Sequence, residues 1–103
     1  MNKEFVPYEQ SLALKELGFD EPCMSSRDMN NGEGLIQIPL YQQAFRWFRE
    51  KHGLYSVIDG LEHRQYYKIT QLNSCSKEYD TYEEAESACI DKLIEIILKE
   101  KKS

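Results

Sequence analysis

The chain has little of what metal centres, disulfide scaffolds and membrane spans require. Its three cysteines, Cys23, Cys75 and Cys89, form no C-x-x-C pair, and its two histidines, His52 and His63, have no neighbour at zinc-site spacing. Neither a structural metal nor a cofactor is expected. Three thiols cannot all be bridged within one chain, which suits a reducing compartment. No stretch approaches the ~20 apolar residues of a membrane span. The start "MNKEFVPYEQ" has neither the basic flank nor the apolar run of a signal peptide. The expectation is a soluble, cytoplasmic protein with no membrane partner.

Positive charge is also in deficit. Thirteen Lys and Arg stand against eighteen Asp and Glu, a formal charge of −5, and such a chain repels a phosphate backbone unless its cations gather on one face. Nucleic acid is therefore disfavoured as a partner. What remains is 103 residues with 41% hydrophobic side chains, enough apolar mass for one folded core and too little length for two.

Pro7 can open a first helix over Tyr8 to Leu17, which Gly18 would close. Leu12, Ala13, Leu14 and Leu17 spread round its wheel, so it should be covered on more than one side. Asn31-Gly32 is a two-residue turn signal between strand formers and predicts a short hairpin, 23–28 with 34–38. Pro39 ends that hairpin and opens a second helix, Leu40 to His52, stopped by Gly53.

That second helix, "LYQQAFRWFREKH", carries both rings and cations. On a wheel of 100° per residue, Leu40, Tyr41, Ala44, Phe45, Trp47 and Phe48 fall in one sector, and Gln42, Gln43, Arg46, Arg49 and Glu50 fall opposite. A platform for bases would interleave them; segregation is the pattern of a helix that feeds a core.

After Gly53 the period changes to two. "LYSVI" reads as a strand, Asp59-Gly60 as a turn, "HRQYYKITQL" as a longer strand and "KEYDTY" as a short third one. Alternation puts Tyr67 and Ile69 on a buried face, with Tyr66, Lys68 and Thr70 on the other. Thr81 and Glu84 then form a capping-box pattern for a last helix. Its apolar face runs through Tyr82, Ala85, Cys89, Ile90, Leu93, Ile94, Ile96 and Ile97, while Glu83, Glu84 and Glu86 complement the positive end of its dipole. The predicted fold is α+β in the order α-ββ-α-βββ-α: an antiparallel sheet, a three-stranded meander plus a short hairpin, with three helices mainly on one face.

No catalytic set emerges. Cys89 reads as a small buried hydrophobe. Cys75 and His63 could meet across the sheet, but nothing in the sequence orients the histidine. "NGEG" lacks the strand-to-helix setting of a phosphate loop. The second half has the element order of a double-stranded RNA-binding domain, yet "DTYEEAES" stands where such domains carry lysines. No enzyme activity is expected.

The candidate interaction surface is Arg46, Arg49, Arg64, Tyr66, Lys68 and Thr70, with Lys51 and His63 nearby in sequence. The leading expectation is contact with a protein partner, a second copy of the chain included, through the sheet face that bears Tyr66, Lys68 and Thr70. The alternative is a nucleic-acid-binding accessory protein, if the arginines of helix two adjoin that face.

The blocks "FVPYEQSLALKELGFDEPC", "PLYQQAFRWFREKHGL" and "YDTYEEAESACIDKLIEII" together resemble a small family of gut bacteria, their prophages and other mobile elements. The family has no assigned activity. The resemblance implies an accessory role and carries no site residue with it.

Overall fold

The computed structural model describes residues 5–23, 25–28, 35–61, 64–70 and 74–102. It is an α+β fold with three helices and antiparallel strand pairs. Helix α1 spans Tyr8–Glu16. The Ser11 N–H donates to the Pro7 carbonyl at 2.9 Å, so Pro7 occupies a boundary position where its missing N–H is no loss. Helix α2 spans Tyr41–His52 and ends at Gly53, whose φ of 66° lies in the left-handed region. The N–H groups of Gly53 and Leu54 reach back to the carbonyls of Arg49 and Phe48, both at 3.1 Å, satisfying two of the carbonyls a helix end leaves open. Helix α3 spans Tyr82–Lys102.

Thr81 caps α3: its hydroxyl accepts the Glu84 N–H at 3.1 Å and its carbonyl accepts the Ala85 N–H at 3.2 Å. Replacing Thr81 by alanine is expected to lower stability by about 1 kcal/mol, with Thr81→Ser close to wild type, measured by urea unfolding.

The described strands form two separate sheets. β1 (Ser25–Asp28) and β2 (Leu35–Ile38) make the predicted hairpin, in register from Ser25 opposite Ile38 to Asp28 opposite Leu35. Among the described residues it does not join the main sheet. The expected turn at Asn31-Gly32 lies outside the described residues. β3 (Ser56–Leu61) pairs antiparallel with β4 (Arg64–Ile69), and β4 pairs with β5 (Ser74–Cys75).

Three expectations require correction. Asp59-Gly60 is not the turn: both residues are inside β3, where Asp59 pairs with Tyr66 and Gly60 with Gln65, and the ladder continues to Leu61 opposite Arg64. Gly60 is needed instead for its φ of 138°, which other residues rarely adopt. Nor is "KEYDTY" a strand. The ladder runs through Ser74 and Cys75 and resumes at a bridge between Gln65 and Tyr79. Between them the Ser76 hydroxyl accepts the Tyr67 N–H at 2.9 Å, while the Ser76 N–H donates to the Tyr67 carbonyl at 2.9 Å. A side chain thus replaces one backbone rung, which β-propensity does not register.

The helices do not share one sheet face either. α3 lies on the sheet, where it contacts β3 and β4, and it also contacts α1 and α2; α1 rests in addition on β2. Around α3 the sheet side is marked by Cys89, which Ser56 hydrogen-bonds. The α1 side is marked by Ser87 and Asp91, which Gln10 bonds. At 100° per residue these positions are about half a turn apart, so α3 is a middle layer. The shortest dimension, 20 Å, matches two interlayer spacings of about 10 Å.

The core gathers round α3. Ala85, Cys89, Ile90, Leu93 and Ile97 are buried, against Ile69 from β4, Leu14 from α1, and Tyr41, Ala44, Trp47 and Phe48 from α2. Trp47 is the hub of an aromatic group, edge-on to Phe19 at 5.4 Å, Phe48 at 5.1 Å and His52 at 4.8 Å. Offset and edge-on rings of this kind add to the stabilisation from area burial alone. The rings of α2 thus enter the core, while Arg46, Arg49 and Glu50 are exposed.

Candidate interaction surface

The pleat of β3 and β4 decides which side chains meet α3 and which meet solvent. Ile69 is fully buried, and Tyr67 and Ile58 pack against the core. Their neighbours therefore point the other way: Val57 and Asp59 from β3 and Tyr66 and Lys68 from β4, with Tyr55 and Thr70 exposed just beyond the ends of those strands. The register pairs Val57 with Lys68 and Asp59 with Tyr66, and the Thr70 N–H reaches the Tyr55 carbonyl at 2.9 Å. Tyr66 donates its phenol proton to Asp59 at 3.4 Å.

Alternation thus gathers Tyr66, Lys68 and Thr70 on this outer face, and Arg64, exposed at the end of β4, stands beside them. Tyr55 and Val57 belong to the same face and are 53% and 56% exposed. They were missed because ending the strand at Ile58, with a turn at Asp59-Gly60, hid the register that sets them opposite Thr70 and Lys68.

Arg46 and Arg49 are elsewhere. They line an open groove of about 620 Å³ with Pro22, Leu40, Gln42, Gln43 and Phe45. Arg46 is 3.8 Å from Glu21 and 4.0 Å from Glu50. These are exposed pairs that contribute little to stability, yet they offset the charge a phosphate would seek. None of Arg64, Tyr66, Lys68 and Thr70 lines that groove.

A polar seam joins the helices. Gln10, 8% exposed, donates from Nε2 to the Ser87 carbonyl at 2.9 Å and to Asp91 Oδ1 at 2.7 Å, and its Oε1 has no hydrogen-bond partner among the described residues. Glu86, also 8% exposed, precedes Ser87 on α3. Burial, with Glu83 adding to it, pushes the Glu86 carboxyl up to about 7. Burial also raises the Tyr41 phenol; a hydrogen bond with Ser87 opposes that, and Glu86, Asp91 and Glu83 add to it. The sequence did contain a signal for Glu86: at 100° per residue it projects between Leu93 and Ile97, in the middle of the apolar face.

Cys23 and Cys89 are held as thiols. Burial raises Cys89 to about 12 against a hydrogen bond with Ser56, and burial followed by the charge of Glu21 raises Cys23. Nucleophilic sulfur chemistry needs the opposite shift. His52 packs on Trp47 and Phe48. The conjectured meeting of Cys75 with His63 lies outside the described residues. Among the described residues no group of three His, Cys, Asp or Glu could hold a metal ion, and no helix is long and apolar enough to cross a membrane. The chain matches no protein-family model, no curated protein and no solved structure.

Proposed function

We propose that this chain is a non-catalytic, cytoplasmic accessory domain that works by protein–protein contact through the outer face of its sheet. The observation that carries this reading is the adjacency of Val57 and Tyr55, each more than half exposed, to Tyr66, Lys68 and Thr70 on one continuous face. Aromatic and aliphatic side chains with a thin polar border are what an interface core requires. The resemblance to a mobile-element family suits an accessory role, and the raised Cys23 and Cys89 thiols suit a non-catalytic one.

The test is association. Light scattering gives the state of the protein alone, and capture from a host lysate is compared between wild type and Tyr66→Glu. The variant is expected to lose whatever association the wild type shows. A strict monomer whose captures are indifferent to Tyr66→Glu would sink the reading. The rival, nucleic-acid binding through Arg46, Arg49, Arg64 and Lys68 with Tyr66 stacking on a base, is weakened because Arg64, Tyr66 and Lys68 do not line the groove that holds Arg46 and Arg49. Short DNA and RNA at low salt are accordingly expected to show no binding that salt then abolishes.

A further inference from the structure

The hydrogen bond from Thr70 N–H to the Tyr55 carbonyl fixes the phase of the β3–β4 ladder. In an antiparallel pair, residues that bond the neighbour alternate with residues whose N–H and C=O point away. Tyr55, Val57 and Asp59 therefore bond toward β4, and Ser56, Ile58 and Gly60 aim their backbone groups at the opposite edge. No strand pairs with β3 on that edge among the described residues. The Gly60 N–H is occupied by Asp59 Oδ1 at 2.7 Å. Exposed edges are usually blunted by charge, proline or a covering element; here, among the described residues, only the Gly60 N–H is taken.

We propose that this edge pairs with β3 of a second copy of the chain, antiparallel about a two-fold axis at Ile58. The inference rests on the reading of this sheet as a contact surface, and it names the partner. Ile58 then faces Ile58 of the second copy, and Ser56 faces its Gly60. The two Ile58 residues exchange both of their bonds, and each Gly60 carbonyl accepts a Ser56 N–H, so four bonds form while Asp59 still holds the Gly60 N–H.

The outer face selects this register over its neighbours. Centred on Ile58, one row across the joined sheet reads Lys68, Val57, then Asp59 and Tyr66 of the second copy. Lys68 has no ion pair among the described residues. Its stem can lie over Val57 and carry the ammonium across two strand spacings, about 10 Å, to that carboxylate. Centred on Val57 the row would read Lys68, Val57, Val57, Lys68, with no carboxylate to meet either lysine, and centred on Asp59 it would set the two carboxylates directly opposite, which is repulsive. Strand pairing alone fits any extended segment; the alternation of charge about the axis is what points to self-recognition.

Sedimentation and amide exchange over roughly 1–100 µM protein test this. A concentration-dependent dimer is expected, with exchange at Ser56 and Ile58 slowing as it forms. Asp59→Lys and Lys68→Asp should each weaken it by about tenfold, since each contact occurs twice, and the double swap should restore it. Ile58→Pro should abolish it with the β3–β4 ladder intact, because that N–H points away from β4; circular dichroism checks the fold. A monomer throughout the range overturns the pairing, as does a dimer indifferent to the charge swaps. In either case loss of a lysate partner with Tyr66→Glu would leave the contact face standing with a different occupant. Association that ignores Tyr66→Glu but fails with Ile58→Pro and is restored by the swap would keep the edge and discard the wider face.

Discussion

Glu86→Gln is expected to make the protein more stable at pH 8 and to leave it nearly unchanged at pH 4.5. The carboxyl of Glu86 faces Tyr41 from α2 and has Tyr82, Glu83 and Cys89 beside it on α3. These neighbours offer no cation, and burial pushes its pKa from 4.5 to about 7. The folded state therefore holds this proton more tightly than the unfolded chain does. Below about pH 4.5 both states are protonated and nothing is lost. As pH rises the unfolded carboxyl ionises first, so stability falls until the folded carboxyl also ionises near 7 and is constant beyond. The loss is on the order of 3 kcal/mol. Glutamine keeps the shape and has no charge to desolvate, so urea midpoints for wild type and variant should coincide at low pH and diverge toward 8. Parallel pH profiles would mean that the carboxylate is solvated in the fold.

Gly60→Ala is expected to destabilise the hairpin of β3 and β4 by about 2–4 kcal/mol. A φ of 138° costs an L-residue of order 1–3 kcal/mol. In addition, the new Cβ would run into the backbone carbonyl oxygen of Arg64 on the paired strand. That atom cannot yield like the end of a flexible side chain, so the ladder must open and a hydrogen bond of about 1 kcal/mol is lost with it. Gly53→Ala is the control: its φ is also positive, at 66°, but a Cβ there meets nothing within 4 Å, and about 1 kcal/mol is expected. Equal losses at the two sites would contradict the steric account.

The contrast between these glycines explains what the sequence disclosed and what it hid. Gly53 follows an amphipathic run and closes it, and the helix boundaries at Pro7, Gly18, Gly53 and Thr81 were legible because each reflects a local constraint on backbone or cap. Gly60 follows an aspartate and resembles a hairpin turn, yet its use is set by the close approach of Arg64, a tertiary fact. The same kind of fact hid the third strand: Ser74 and Cys75 have weak β-propensity and are held by β4, with the Ser76 hydroxyl completing the ladder. On the candidate surface, Tyr66, Lys68 and Thr70 followed from simple alternation. The placement of Arg46 and Arg49 in a groove that none of these three lines did not, because it depends on tertiary packing. Glu86 was legible on the wheel but was assigned to the helix dipole, an effect of less than about 1 kcal/mol that desolvation outweighs.

The position of α3 also bears on synthesis. Every element it joins precedes it along the chain, and Gln10 meets Asp91 across 81 residues. While a ribosome is still producing α3, the aromatic side of α2 and the inner side of the sheet have nothing to close upon, so the native core cannot assemble one element at a time as translation proceeds. Contacts of such long sequence separation fold slowly, and the partly made chain exposes apolar surface meanwhile. Chaperone engagement of the nascent chain, ending as α3 emerges, is the expected cellular counterpart of a middle layer that is made after the layers it holds together.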